Sequence, residues 1–147
     1  MDTPRFGYHF AQLHRLMFSL CKKDIGRLGV QPSQMPFLVT LLRLEKPVTQ
    51  DELSTTLSID KAATARALDQ LEKNGFVTRK INPHDRRQKL VSVTPKARGI
   101  AGRLFEILQE TSHVFIKDFS EKEMTTLRTL INRMISNAMK EKNDRHR

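Results

Sequence analysis

At 147 residues the chain suits one compact domain or two small units sharing a core, and it carries 26 Lys and Arg against 16 Asp and Glu, a net charge of +10. Hydrophobic residues at 38% and charged residues at 29% fit a folded soluble protein rather than a disordered one, and apolar runs such as Phe37-Leu38-Val39 are far too short to span a bilayer. Met1-Asp2-Thr3-Pro4-Arg5 is not a basic run followed by an apolar one, and a single cysteine excludes an internal disulfide, so the expectation is a cytoplasmic protein with no membrane partner.

Phe6, Phe10, Leu13, Leu16, Met17 and Leu20 recur at three- and four-residue steps, which predicts an amphipathic first helix ending near Gly26 or Gly29. Pro32 suits the first residue of a second helix with Met35, Leu38, Val39 and Leu42 on one apolar face. Pro47-Val48-Thr49 is an extended link, and Thr49 with Glu52 forms a capping-box pattern that starts a brief third helix using Leu53 and Leu57. Asp60 suits the N-cap of a fourth helix, from Lys61 to about Asn74, with Gly75 as its left-handed stop.

Phe76–Ile81 and Lys89–Val93 have the composition of two strands, joined by the polar turn Asn82-Pro83-His84-Asp85-Arg86-Arg87. Thr94 then caps a long helix with Pro95 at its first position and Ala97, Ile100, Ala101, Leu104, Leu108, Phe115 and Phe119 as its stripe. Ser120 and Glu123 make a second capping box, opening a last helix with Met124, Leu127, Leu130, Ile131, Met134 and Ile135 on its apolar side. After Lys140 the tail is polar and expected to fray.

The fold class expected is mainly α with a small β-hairpin wing: a winged helix-turn-helix over residues 32–94, flanked by an N-terminal helix in 1–31 and C-terminal helices in 95–147. The terminal apolar stripes exceed what so small a central unit could cover, which favours a symmetric homodimer over a monomer folding those helices onto its own centre.

The basic surplus attracts polyanions, and it is clustered: Arg79 to Arg103 contains eight basic residues and one acid, Asp85. A helix fits the major groove of DNA, where base edges are distinguishable. With Leu68, Leu71 and Thr64 facing inward, the fourth helix turns Lys61, Ala62, Ala65, Arg66 and Asp69 outward. Arg66 suits a guanine edge or a phosphate, and the alanines suit thymine methyls; the alternative for Arg66 is a surface ion pair or contact with Asp69 or Gln70, of little energetic weight.

The stretch from Ile59 to Ala97 resembles the winged-helix core of the MarR/SlyA family of transcription regulators. The matching positions are Arg66, Leu68-Asp69, Leu71-Glu72, Gly75, Val77, Arg79, Pro83, Asp85, Arg87 and Thr94, and the helix order on either side agrees. The resemblance implies an obligate homodimer built by the first and the last two helices, with recognition helices in successive major grooves and wings in the flanking minor grooves. It implies that Arg87 enters the minor groove while Asp85 holds it by an ion pair. A narrow A·T-rich groove concentrates negative potential and so suits arginine. Arg86, Lys89 and Arg79 are expected to add phosphate contacts. The implied function is sequence-specific repression at a pseudo-palindromic operator, with release by a small aromatic or anionic effector whose site the sequence does not nominate. Two departures stand out. Alanines replace a hydroxyl residue common near Ala62 or Ala63, and Thr64 stands where relatives often carry an aliphatic residue. Ala97 replaces a frequent glycine without consequence at a helix start.

Other chemistry is weaker. Cys21 would need exposure and acidifying neighbours to serve as a redox sensor, and His14 is roughly 10 Å away by helical rise, so a buried structural cysteine is expected. His9 and His14 lie on different helix faces, no metal motif or phosphate loop occurs, and neither an enzyme nor a cofactor is expected. Two other readings remain: an architectural nucleoid-type protein binding DNA without strong sequence preference, and an interaction module whose winged helix contacts protein or RNA.

Overall fold

The structure, a computed structural model, describes residues 3–146. Met1 and Asp2, within the expected N-terminal segment, and Arg147, at the end of the tail, lie outside the described residues. Among the described residues six helices and three strands follow one another as α1 (Thr3–Arg27), α2 (Met35–Leu44), β1 (Val48–Thr49), α3 (Gln50–Leu57), α4 (Lys61–Lys73), β2 (Val77–Asn82), β3 (Asp85–Val93), α5 (Pro95–Ile116) and α6 (Glu121–Arg145). The chain divides into two compact units, Met1–Thr111 and Ser112–Arg147.

Local chemistry sets the element boundaries. α1 stops before Gly29, which adopts φ 85°. The second helix begins later than expected, because Gln31–Gln34 form a turn in which the Gln31 N–H donates to Gln34 Oε1 at 3.2 Å. Pro36, not Pro32, therefore occupies the first turn of α2. Both capping boxes form: Glu52 N–H donates to Thr49 Oγ1 at 3.1 Å and Thr49 N–H to Glu52 Oε2 at 2.7 Å, with the same reciprocal pair between Ser120 and Glu123. Asp60 caps α4 through Ala63 N–H at 2.7 Å.

The expected link at Val48-Thr49 is a strand. It pairs antiparallel with β3, Val48 opposite Val91 and Thr49 opposite Leu90, giving a sheet in the order β1-β3-β2. Two residues with both side chains buried carry too short a pattern for strand periodicity to register.

The core lies in the first unit. Phe37, Leu38 and Leu41 of α2, Leu53 of α3, Leu68 and Leu71 of α4, Phe76, Val77 and Val91 around the hairpin, and Leu104 of α5 form one buried cluster with Cys21 and Ile25 of α1. The stripe read from the sequence of α1 points elsewhere: Phe6, Phe10, Leu13, Leu16, Met17 and Leu20 are all exposed. In the second unit, α6 has no buried residue among those described, and Leu130, Ile131 and Ile135 are exposed.

Candidate nucleic-acid interface

α3 and α4 are joined by Ser58-Ile59-Asp60, where Ser58 takes the left-handed φ of 53° that helix-turn-helix turns usually give to glycine. A buried hydrogen-bond relay fixes the crossing. Ser54 Oγ donates to Thr64 Oγ1 at 2.9 Å, and Thr64 Oγ1 donates to the Asp60 carbonyl at 2.8 Å. Thr64 is fully buried, facing inward as expected. The hydroxyl in place of an aliphatic side chain is thus partnered on both sides, as a buried polar group requires.

The outward face of α4 presents Lys61, Ala62 and Arg66 as exposed residues and Ala65 as half-buried. Lys61 Nζ lies 3.8 Å from Asp51 Oδ1, a long and solvated pair. Asp69 does not turn back to Arg66; it faces Arg79, and among the described residues no carboxylate pairs with the Arg66 guanidinium. Arg66 also borders a cavity of about 380 Å³ between the start of α2 and α4, walled by Phe37, Ala63, Ala67 and Gln70.

Arg79, expected as a phosphate contact, is drawn into the chain. Its side chain is 12% exposed, with one terminal nitrogen against Asp69 Oδ1 and, at 3.1 Å, Glu72 Oε1. Its other terminal nitrogen lies 3.4 Å from Gln50 Oε1, and its backbone N–H donates to Glu72 Oε2 at 3.1 Å. The positive charge is neutralised inside the chain, by residues the sequence separates by seven and ten positions. These bonds hold the Glu72 carboxyl below its ordinary value and raise the guanidinium further above its own, the Arg79–Glu72 hydrogen bond being the main cause of both.

The wing is tighter than the sequence suggested. β3 begins at Asp85, so only Pro83-His84 form the turn and both arginines lie on the strand. Ile81 pairs with Lys89 while Asn82 pairs with Asp85, which leaves Arg86, Arg87 and Gln88 bulged out of the ladder. Arg87 Nε reaches Asp85 Oδ1 at 3.1 Å, a terminal nitrogen reaches Oδ2 at 3.2 Å, and the Arg87 N–H donates to Oδ1 at 3.1 Å. The Asp85–Arg87 ion pair implied by the resemblance is therefore present. Arg86 and Lys89 are exposed, and among the described residues neither has an ion-pair partner.

At the base of the hairpin, Thr94 Oγ1 donates to the Gly75 carbonyl at 2.6 Å, where Gly75 takes φ 78°. Lys96 Nζ donates to the Asn74 carbonyl at 2.5 Å and sits 4.6 Å from the Phe76 ring centroid. Cys21 is fully buried, and burial pushes its thiol up, away from the reactive thiolate a redox sensor needs. His9, Leu13 and Met17 are exposed on α1 and Met35 is half-buried. Among the described residues no helix is long and apolar enough to cross a membrane.

A family model described as MarR family matches residues 32–89. The crystal structure of a MarR transcriptional regulator from Methanosarcina mazei Go1 is 29% identical, with a TM-score of 0.88 over 93% of this chain and 98% of that one. A mutant MarR from E. coli complexed with operator DNA is 25% identical, with a TM-score of 0.77 over 88% of this chain and 93% of that one. A MarR protein from Peptoclostridium difficile DA00132 shares the fold at a TM-score of 0.90, with 24% identity over 96% of this chain and 91% of that one. Helix-turn-helix and bulged wing coincide with the stretch, residues 32–89, that matches the MarR family.

Proposed function

We propose that this protein is a DNA-binding transcriptional regulator that acts as a homodimeric repressor by occupying an inverted-repeat operator in the cytoplasm, without catalysing a reaction. The observation that carries the reading is the wing arginine: Arg87 is 90% exposed, yet its guanidinium is held in a two-point pair by Asp85. A solvated turn has no use for an oriented cation, whereas a narrow minor groove does. Arg86 and Lys89 beside it supply phosphate contacts. α4 lies in the major groove with Arg66 to a guanine edge or phosphate, Lys61 to the backbone, and Ala62 and Ala65 against thymine methyls. The similar E. coli protein with operator DNA supports the same partner.

Segments 1–31 and 95–147 carry the dimer contacts in this reading. The support is the exposed apolar surface of α1 and α6, which in an isolated chain would remain against water. A small aromatic or anionic effector entering the cavity beside Arg66 would displace that side chain and lower affinity for DNA.

Selection of bound duplexes from a random pool tests the proposal. Enrichment of an inverted repeat with A·T-rich flanks is expected. The alanines on the outward face of α4 favour, as a second reading, an architectural protein; a pool that stays unenriched despite tight binding would establish that reading instead.

A further inference from the structure

We infer that Arg79 is a positioning residue: it locks the wing to α4, so that the reach of Arg87 to DNA depends on it. The inference rests on the DNA-binding reading above. Three elements meet at this one guanidinium, Gln50 of α3, Asp69 and Glu72 of α4, and β2 itself. Asp69 and Glu72 are three residues apart and share a helix face, one turn beyond Arg66. One terminal nitrogen of the planar fork holds both carboxylates while the other reaches Gln50, a three-partner grip that the point charge of lysine would not reproduce. Its Nε is buried without a partner, a cost accepted only because the terminal nitrogens dictate the orientation.

The mechanical consequence follows from the ladder. Arg79 pairs with Val91 of β3, and β2 continues through Ile81 to Asn82, opposite Asp85. Anchoring β2 at Arg79 therefore anchors the strand that carries the Asp85–Arg87 clamp. Thr94 and Lys96 secure only the base of the hairpin. Among the described residues the ion pairs linking β2 to α4 are those of Arg79 alone.

The test is a double-mutant cycle on a duplex enriched by selection. Affinity and its salt dependence are measured for wild type, Arg79→Met, Arg87→Ala and the double variant, with thermal melts to confirm folding. If Arg79 positions the wing, the affinity loss caused by Arg87→Ala shrinks by at least roughly threefold in the Arg79→Met background, as for groups that act as a unit. The salt slope then falls by about 0.9 in either single variant and no further in the double. A slope lower by about 1.8 in the double would make Arg79 a phosphate contact in its own right. Losses that multiply, with the slope unchanged by Arg79→Met, would leave it a structural residue; both results overturn the inference while the DNA-binding reading stands. If Arg87→Ala changes neither wild-type affinity nor slope, the reading of the wing itself fails and the inference falls with it. Should Arg79→Met not fold, Asp69→Asn loosens the same anchor, and the Arg87→Ala loss is compared in that background by the same criterion.

Discussion

Arg87 lies across the carboxylate of Asp85, Nε to Oδ1 at 3.1 Å and a terminal nitrogen to Oδ2 at 3.2 Å, while 90% of the arginine side chain stays in water. An ion pair this exposed adds little to fold stability. What it fixes is direction. A long side chain on a bulged strand is held in one conformation before it meets a partner, which reduces the ordering lost on binding. The arginine in turn holds the Asp85 carboxyl below the ordinary carboxylate range, through its side chain first and its backbone N–H second. The clamp is therefore ionised at neutral pH, and it is lost only as pH falls below that range.

Arg87→Ala is expected to weaken operator binding and lower the salt slope by about 0.9, with melting temperature unchanged. Asp85→Asn keeps the arginine but removes the clamp. It should reduce affinity less than Arg87→Ala and leave the slope nearly intact. Fluorescence anisotropy titrations at several salt concentrations read both quantities. Equal affinities for wild type and Asp85→Asn would show that orientation of Arg87 contributes nothing.

Arg66 is an exposed long donor on the outward face of α4, with Asp69 committed to Arg79 and alanines at the neighbouring positions. Arg66→Ala should relax discrimination at one base pair per half-site, by about 1–3 kcal/mol for a bidentate guanine contact. Competition among duplexes altered at single positions measures this. A uniform loss over all sequences would make Arg66 a phosphate contact.

The helices were legible in the sequence because their periodicity and caps are local signals: Thr49 with Glu52, Asp60, and Ser120 with Glu123 all act as their spacing suggested. The apolar stripe of α1 was read correctly as apolar, but periodicity does not say what a stripe faces. β1 escaped because two residues carry no period, and the wing narrowed because a bulge displaces Arg86, Arg87 and Gln88 from the ladder without marking the sequence. Arg79 looked like a free cation in a basic cluster. Its carboxylate partners come from a helix seven and ten residues earlier, and only the fold brings them together.

The relay from Ser54 through Thr64 to the Asp60 carbonyl offers a stability test independent of DNA. Thr64→Val removes the shared partner and should cost about 0.5–1.5 kcal/mol, because the Ser54 hydroxyl keeps only its longer contact, to the Gln50 carbonyl at 3.3 Å. Ser54→Ala should cost a similar amount. The double variant replaces both hydroxyls with apolar groups and should lose less than the sum of the singles by about 0.5 kcal/mol or more. Urea denaturation provides the values; strict additivity would mean that the two hydroxyls do not act together.

The exposed stripe of α1 predicts association. Leu16 is 47% and Leu20 50% exposed in the single chain, and on α6 Ile135 is 56% exposed. Leu16→Glu and Ile135→Glu, each made alone, should leave helical content intact while shifting sedimentation from dimer to monomer, because each would bury an unpaired charge in the interface. Operator affinity should fall steeply in both. A wild-type chain that sediments as a monomer at micromolar concentration would remove the dimer from the proposal.

Glu72 provides a pH test of the anchor between helix and wing. Its carboxyl lies below the ordinary glutamate value of 4.5, chiefly because it accepts a hydrogen bond from Arg79, with burial opposing the shift. A depressed carboxylate contributes stability that is fully present above the unfolded-state value and is lost as pH falls through the lower folded value. Wild type should therefore melt above Glu72→Gln at neutral pH, and the gap should close as pH drops below about 4.5. The glutamate side chain is 42% exposed, so solvent screens the pair and the gap should be small and smaller still at high salt. Thermal melts of both proteins from neutral to acid pH check the sign. A gap that persists unchanged in acid would mean that Glu72 acts through packing rather than through its charge on Arg79.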